Sequence, residues 1–233
     1  MDKSLEDFRN FAVNHMGVSG MQLHYWDKMQ DKLYDPRASM TPYIIEEIDR
    51  RGVQMDIFSR MMMDRILWVV GVVNDNMSTV VNAQLMWLDQ QDKNADVLMY
   101  VDSPGGSVKS GLSMIDVMNY VECDVSTINV GMAASMGSIL LGGGTKGKRF
   151  ALPHSKVMLH QVSSGTQGNV QDMKISLAEA VKYNEELFRM LGEFTGKEAE
   201  TVMKHATRDL WLDAKEAEAY GIIDGIITKK SGK

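Results

Sequence analysis

Three short runs rich in apolar and β-branched residues limit what this chain can fold into. They are Ile66-Leu67-Trp68-Val69-Val70, Val97-Leu98-Met99-Tyr100-Val101 and Val125-Ser126-Thr127-Ile128-Asn129-Val130. Continuous runs of this kind read as strands buried on both faces, where a half-exposed strand would alternate apolar with polar residues. Between the first two, Met77, Val80, Val81, Leu85 and Leu88 recur at three- and four-residue intervals behind Asn74 or Asn76 as a cap, which predicts a helix. A second helix around Gly111–Tyr120 separates the next pair. Strand, helix, strand, helix at this cadence predicts parallel βαβ units and an α/β fold.

The flanks fit around that frame. Tyr43–Glu47 reads as a short strand and Asp56–Met63 as a short helix. Arg149–Leu152 and Lys156–His160 read as strands about the turn Pro153-His154-Ser155. The segment Ser163–Asn169 is polar and Gly-rich, either a loop or an extended stretch that needs a partner. A long helix is expected from Val170 to Glu193, with Met173, Leu177, Ala180, Val181, Leu187 and Met190 on its apolar side. Lys215–Tyr220 reads as a further helix and Gly221–Ile227 as a closing strand region. Residues 1–38 form a distinct extension: a weak amphipathic helix through Leu5, Phe8 and Met16, a break at Gly17–Gly20, and a linker at Asp35-Pro36-Arg37. His15 and His24 within it have no metal-ligand spacing. The main domain is expected over 39–233.

Composition narrows the classes. The 233 residues carry a net charge of −6, which argues against nucleic acid or an anionic membrane surface as partner. A single cysteine, Cys123, excludes an intrachain disulfide and a Cys-cluster metal site. No apolar stretch approaches the roughly 20 residues that span a bilayer. The first residues, Met1-Asp2-Lys3-Ser4-Leu5-Glu6-Asp7, carry acids where a signal peptide carries bases. The expectation is a cytoplasmic protein. Its 20 methionines suit extensive adaptable apolar contacts.

The chemistry centres on Gly131-Met132-Ala133-Ala134-Ser135-Met136-Gly137, which joins the third apolar run to the helix-compatible Ser138–Leu141. Small residues allow a tight strand-to-helix turn, and the helix directs its N–H groups toward the serine. A plain helix cap is the alternative use of such a serine. Asp102-Ser103-Pro104-Gly105-Gly106 follows the second strand, where open α/β sheets place ligand-contacting loops, and its glycines leave bare N–H groups for an oxyanion. A β-turn would need no more than these residues. His160 closes a short apolar strand, and Asp209 lies in Thr207-Arg208-Asp209-Leu210-Trp211. A serine nucleophile needs a base, and the base an orienting carboxylate. Ser135, His160 and Asp209 supply one of each, while spacing alone leaves their proximity open.

Taken together, Ser103–Gly106, Gly131–Gly137, Lys146–Pro153, Met158-Leu159-His160-Gln161, Arg208-Asp209 and Ala219–Asp224 resemble the proteolytic subunits of the Clp protease family, ClpP, from about Met40 to Ile227. The resemblance implies a ββα spiral related to crotonases, with a protruding handle of strand plus long helix over 162–193. It implies a serine endopeptidase with Ser135 as nucleophile, His160 as general base and Asp209 as orienting carboxylate, and with Gly106 and Met136 as oxyanion-hole donors. It further implies heptameric rings stacked into a tetradecamer around a proteolytic chamber. The partner would be an AAA+ unfoldase such as ClpX, ClpA or ClpC, docking at Tyr100, Tyr120, Ile128, Phe150, Leu152 and Ile227. Leu98 belongs to that set but replaces a frequent aromatic residue. Peptides would be cut by the protease alone, and proteins only when the unfoldase feeds them. ATP would be used by that partner, since this chain has no phosphate-binding Gly-x-x-x-x-Gly-Lys-Ser/Thr loop and needs no cofactor.

Two features depart from the family pattern. Asp102 stands where many relatives have Asn, which brings a carboxylate toward the oxyanion loop. Residues 1–38 exceed a short propeptide, and cleavage is expected near Ala38-Ser39. Two other classes stand beside the protease: a crotonase-like acyl-CoA enzyme, which would not need the three residues, and a non-catalytic ring subunit.

Overall fold

The computed structural model describes residues 43–48 and 51–229. The 1–38 extension and the expected cleavage point lie outside the described residues. The chain divides into two units at Arg60. In the first, β1 (Tyr43–Ile48) and β2 (Arg51–Asp56) form an antiparallel hairpin, Tyr43 opposite Asp56 and Ile48 opposite Arg51. β1 matches the expected strand. β2 carries no apolar run and pairs with β1 along its whole length. Helix α1 (Ile57–Met63) starts on the Asp56 carboxylate, which accepts the Phe58 and Ser59 N–H groups.

The second unit is built on a seven-stranded sheet in which β3 (Ile66–Val70), β4 (Val97–Ser103), β5 (Val125–Ala134), β6 (Arg149–Ala151) and β9 (Gly225–Ile226) lie side by side in that order, while β7 (Lys156–Leu159) and β8 (Leu210–Asp213) branch from β5. β3, β4 (Val97–Ser103) and β5 (Val125–Ala134) are parallel neighbours, joined by α2 (Asp75–Gln91) and α3 (Val108–Tyr120). Asn74, rather than Asn76, caps α2 by accepting the Met77 N–H, and Ser107 caps α3 through the Ser110 N–H. Arg65, at φ 61°, ties the far end of α2 to β4 by donating to the Leu88, Ala95 and Asp96 carbonyls.

β5 changes partner along its length. Thr127–Asn129 pair with β6 (Arg149–Ala151), and Met132–Ala134 pair with β7 (Lys156–Leu159). β7 then pairs antiparallel with β8 (Leu210–Asp213). The sheet thus turns a corner at β5, which fits the expected spiral. Short α4 (Met136–Gly142) follows β5, and its seven residues are all buried.

The core lies on one face of the sheet, where Leu67, Val69, Met99 and Val101 meet Leu85, Met114, Ile115 and Leu140. The other face departs from the two-sided burial expected. β4 alternates fully buried with half-buried residues, because Leu98, Tyr100 and Asp102 have no covering layer among the described residues. Trp68 stacks on Tyr100 there, 4.9 Å between centroids.

The long helix is α5 (Val170–Thr195), capped by Asn169 and ended by left-handed Gly196. Only its last turns, through Phe188, Met190 and Leu191, are buried. Of the residues expected to form its apolar side, Met173, Leu177 and Val181 stand exposed. Before it, the segment from Gln161 to Gly168 forms no strand. Helix α6 (Ala199–His205) and strand β8 were not legible as periodic runs, each being too short to show one. Helix α7 (Ala214–Tyr220) opens with a capping box between Asp213 and Glu216. Among the described residues no helix is long and apolar enough to cross a membrane.

Candidate active site

Strand pairing brings the three candidate residues together. β5 and β7 run side by side to Ala134 and Met158, and the Ser135 N–H donates to the Met158 carbonyl at 2.9 Å. Two residues later the β7 chain reaches His160, whose Nε2 lies 2.8 Å from Ser135 Oγ. On the other side of β7, Leu159 pairs with Leu210, so Asp209 stands across from His160. Its Oδ1 lies 3.8 Å from His160 Nδ1, inside ion-pair range but too long for a direct hydrogen bond. The side chain of Asp209 is 61% exposed, that of His160 27%.

Ser135 holds φ 54° and ψ −124°, a conformation that L-residues other than glycine rarely adopt. Strain of this kind persists only where the surroundings over-determine it, as at functional sites. Here it is over-determined from both sides. The residue ends one strand and begins one helix, and its carbonyl accepts from both N–H and Oγ of Ser138. A serine merely capping α4 would accept a helix N–H with its hydroxyl. Ser135 makes no side-chain cap bond and faces His160 instead.

The Ser-Pro-Gly-Gly loop lies directly against this junction. Gly105 has φ 93°, and a Cβ there would stand 2.6 Å from Ser135 Cβ and 2.9 Å from the Met136 nitrogen. Gly106 has φ 151°, and a Cβ there would strike the Val73 carbonyl at 2.3 Å. The loop is held to Val73, which donates to Gly105 O and accepts from Ser107 N. Beneath it the buried Ser103 Oγ donates to Gly71 O at 2.6 Å and accepts the Gly105 N–H at 3.1 Å. The Gly106 and Met136 amides bond to no protein acceptor among the described residues. Both line a cavity of about 190 Å³ together with Ser135 and His160. Two preorganised N–H groups beside a nucleophile are what an oxyanion hole requires. The rest of the lining is largely apolar: Ile139, Leu159, Leu187, Phe188 and Leu191. Asn184 of α5 adds an amide at its edge and accepts the Val162 N–H at 2.9 Å, two residues after His160.

The Asp102 carboxylate, expected close to the oxyanion loop, finds its hydrogen-bond partner on β5. Its Oδ1 accepts the Met132 N–H of β5 at 2.9 Å. Of the expected docking residues, Tyr100, Ile128 and Phe150 fall in register across β4, β5 and β6, in one row with Trp68 of β3. Leu98 sits two residues earlier on the same face of β4. Leu152 and Ile227 follow the ends of β6 and β9, tied to neighbouring strands at Asn129 O and Ala151 O. Tyr120 is not in that row: it ends α3, among the helices of the opposite face, and is 77% exposed. Trp68 and Asn184 escaped sequence reasoning. Trp68 sits in a run that looks like plain core, and Asn184 in a helix whose polar face looks solvated.

Comparison with known proteins points the same way. The chain matches the family described as Clp protease over residues 49–230. It is 43% identical over 225 residues to a Porphyromonas gingivalis protein named ATP-dependent Clp protease proteolytic subunit, covering 97% of this chain and 99% of that one. Proteins of the same name from Bacteroides fragilis and Bacteroides thetaiotaomicron are each 41% identical over 226 residues, covering 97% of this chain and all of theirs.

Proposed function

This chain belongs to the Clp protease family and is a peptidase, and from that premise we propose that Ser135, His160 and Asp209 carry out its peptide-bond hydrolysis. The observation that carries this reading is the 2.8 Å approach of His160 Nε2 to the strained Ser135. With a proton on Nδ1, Nε2 accepts the serine hydroxyl proton as Oγ attacks the scissile carbonyl. The oxyanion that forms is received by the Gly106 and Met136 N–H groups. His160 returns the proton to the leaving amine, and an acyl group remains on Ser135. Water, deprotonated by the same imidazole, then releases the acid and restores the serine. Asp209 orients the imidazole and stabilises its charged form. The apolar cavity beside Ser135 favours a substrate with one medium-sized apolar side chain next to the scissile bond. Every step uses the chain's own groups and water.

The assembly belongs to the same reading. The chain forms heptameric rings stacked into a tetradecamer, a proposal supported by exposed Val170, Ile175, Leu177 and Val181 on a helix left uncovered among the described residues. The half-buried row Trp68, Tyr100 and Phe150 supports docking of an ATP-driven AAA+ unfoldase, which would feed folded proteins into the chamber. The 1–38 extension would be removed near Ala38-Ser39, and the protein would act in the cytoplasm. The test is hydrolysis of a fluorogenic peptide and of a folded protein by the purified assembly. The peptide should be cut without ATP, the folded protein only with unfoldase and ATP, and Ser135→Ala should abolish both. Peptidase activity surviving in Ser135→Ala would overturn the assignment.

A further inference from the structure

The corner of the sheet at β5 leaves a local shortage of backbone acceptors. On the β4 side, Val101 faces Asn129 and Ser103 faces Ala133, so two steps along β4 match four along β5. β5 therefore bulges at Val130–Met132, where it also passes from β6 to β7. At a bulge the ladder is broken and backbone groups need other partners. Asp102 supplies one: Oδ1 takes the Met132 N–H at 2.9 Å, while its own carbonyl accepts from Gly71 N. Gly131 makes room for this. A Cβ at that position would stand 2.5 Å from Oδ1 and 2.8 Å from Cγ of Asp102. The first glycine of the serine-bearing heptapeptide thus admits the carboxylate, and the bond it admits lies three residues before Ser135.

We propose that Asp102 is a positioning residue, whose carboxylate fixes the bulge of β5 and so sets where the strand delivers Ser135 against His160. It acts through Met132 N–H and touches neither substrate nor reacting atoms. Adjacent Ser103 organises the oxyanion loop through Gly105 N, so two consecutive β4 residues hold the two halves of the site. The proposal rests on the reading of Ser135 as nucleophile. Misplacement of a reacting group by about 1 Å can cost on the order of 10²-fold in rate, which is the lever Asp102 would hold.

The test uses the full-length assembled protein, a fluorogenic peptide, and the rate at which a fluorophosphonate labels Ser135. Asp102→Ala should lower kcat and the labelling rate together, by about 10- to 100-fold, with KM little changed. Asp102→Asn, which keeps an oxygen acceptor in place, should restore most of the loss. Gly131→Ala, which leaves Asp102 present but displaces it, should reproduce the defect. It also decides the matter if Asp102→Ala does not assemble. A role in folding alone would reduce the yield of assembled protein and leave kcat per labelled site unchanged. Wild-type kcat in Asp102→Ala or Gly131→Ala would overturn the proposal, as would an Asp102→Asn as impaired as Asp102→Ala. Activity retained in Ser135→Ala would instead overturn the underlying reading, so the two failures are distinct.

Discussion

Ser135 and Asp209 flank the same histidine, yet the chain holds them in opposite ways. Ser135 closes a buried strand, opens a buried helix, bonds β7 through its N–H and Ser138 through its carbonyl, and sits under a glycine loop that leaves no space for a methyl group. Asp209 precedes a four-residue strand, is 61% exposed, and stops 3.8 Å short of the imidazole. The difference teaches where precision is stored. Ser135 and the Gly106 and Met136 amides depend on backbone geometry, which one chain can fix through its own ladder. The carboxylate depends on a surface segment that leaves it outside hydrogen-bond reach of the imidazole. The same contrast runs through α5, anchored at Phe188 and Leu191 and uncovered at Val170–Val181.

The most damaging way to break this comparison is to disturb the rigid side. Gly105→Ala puts a Cβ 2.6 Å from that of Ser135 at a φ of 93° and should cost about 10²- to 10³-fold in kcat, the scale of a lost oxyanion donor. Peptide hydrolysis by the assembled variant measures it, and wild-type kcat would show that the loop yields freely. The open side should be more forgiving. Asp209→Asn should lose less than the roughly 10⁴-fold known for a triad whose carboxylate is hydrogen-bonded to the histidine. A loss as deep as that of Ser135→Ala would mean the working enzyme closes the 3.8 Å gap fully.

A third change sharpens the comparison through stability. Arg149, the buried first residue of β6, donates to both Asp224 oxygens and to the Phe194 carbonyl, which ties β6 to the entrance of β9 and the end of α5. Burial pushes the Asp224 carboxyl up, but the bonds from Arg149 and Gly147 outweigh it and hold the group below the usual carboxylate range. A depressed pKa stabilises the fold above the unfolded value of about 4 and loses that contribution as pH falls through the folded value. Asp224→Ala should therefore destabilise by about 3–5 kcal/mol at pH 7, the cost of stranding a buried charge, and by less below pH 4. Urea unfolding at the two pH values checks it, and an equal loss at both would exclude the linkage. The mildest change is Asn184→Ala, which strips the acceptor from Val162 N–H and should cost about 1 kcal/mol with a few-fold fall in kcat/KM.

Much of the rigid half was legible in the sequence because it is local. The β-branched runs announced β3, β4 and β5, and a serine set among Gly and Ala between strand and helix announced the junction. The motif order also pointed to His160 and Asp209. Their proximity was not local: it arises from β7 lying between β5 and β8, through pairings as distant in sequence as Lys156 with Asp213. Nor could spacing reveal that Asp102 faces Met132, since that contact exists only because β5 slips register against β4. β2, α6 and β8 escaped notice for a related reason, being short segments stabilised by what they meet. The apolar side of α5 was legible from its spacing, but spacing could not tell that Met173, Leu177 and Val181 stand exposed while Leu191 is buried, because periodicity marks a face without saying what covers it.

The most direct test of the account is fluorophosphonate labelling of the assembled wild-type protein, with the modified residue read by mass spectrometry. The account predicts a single modification at Ser135, fast in wild type, slower in Asp209→Asn and absent in Ser135→Ala. Active peptidase that leaves Ser135 unmodified, or that is labelled at another serine, would contradict it.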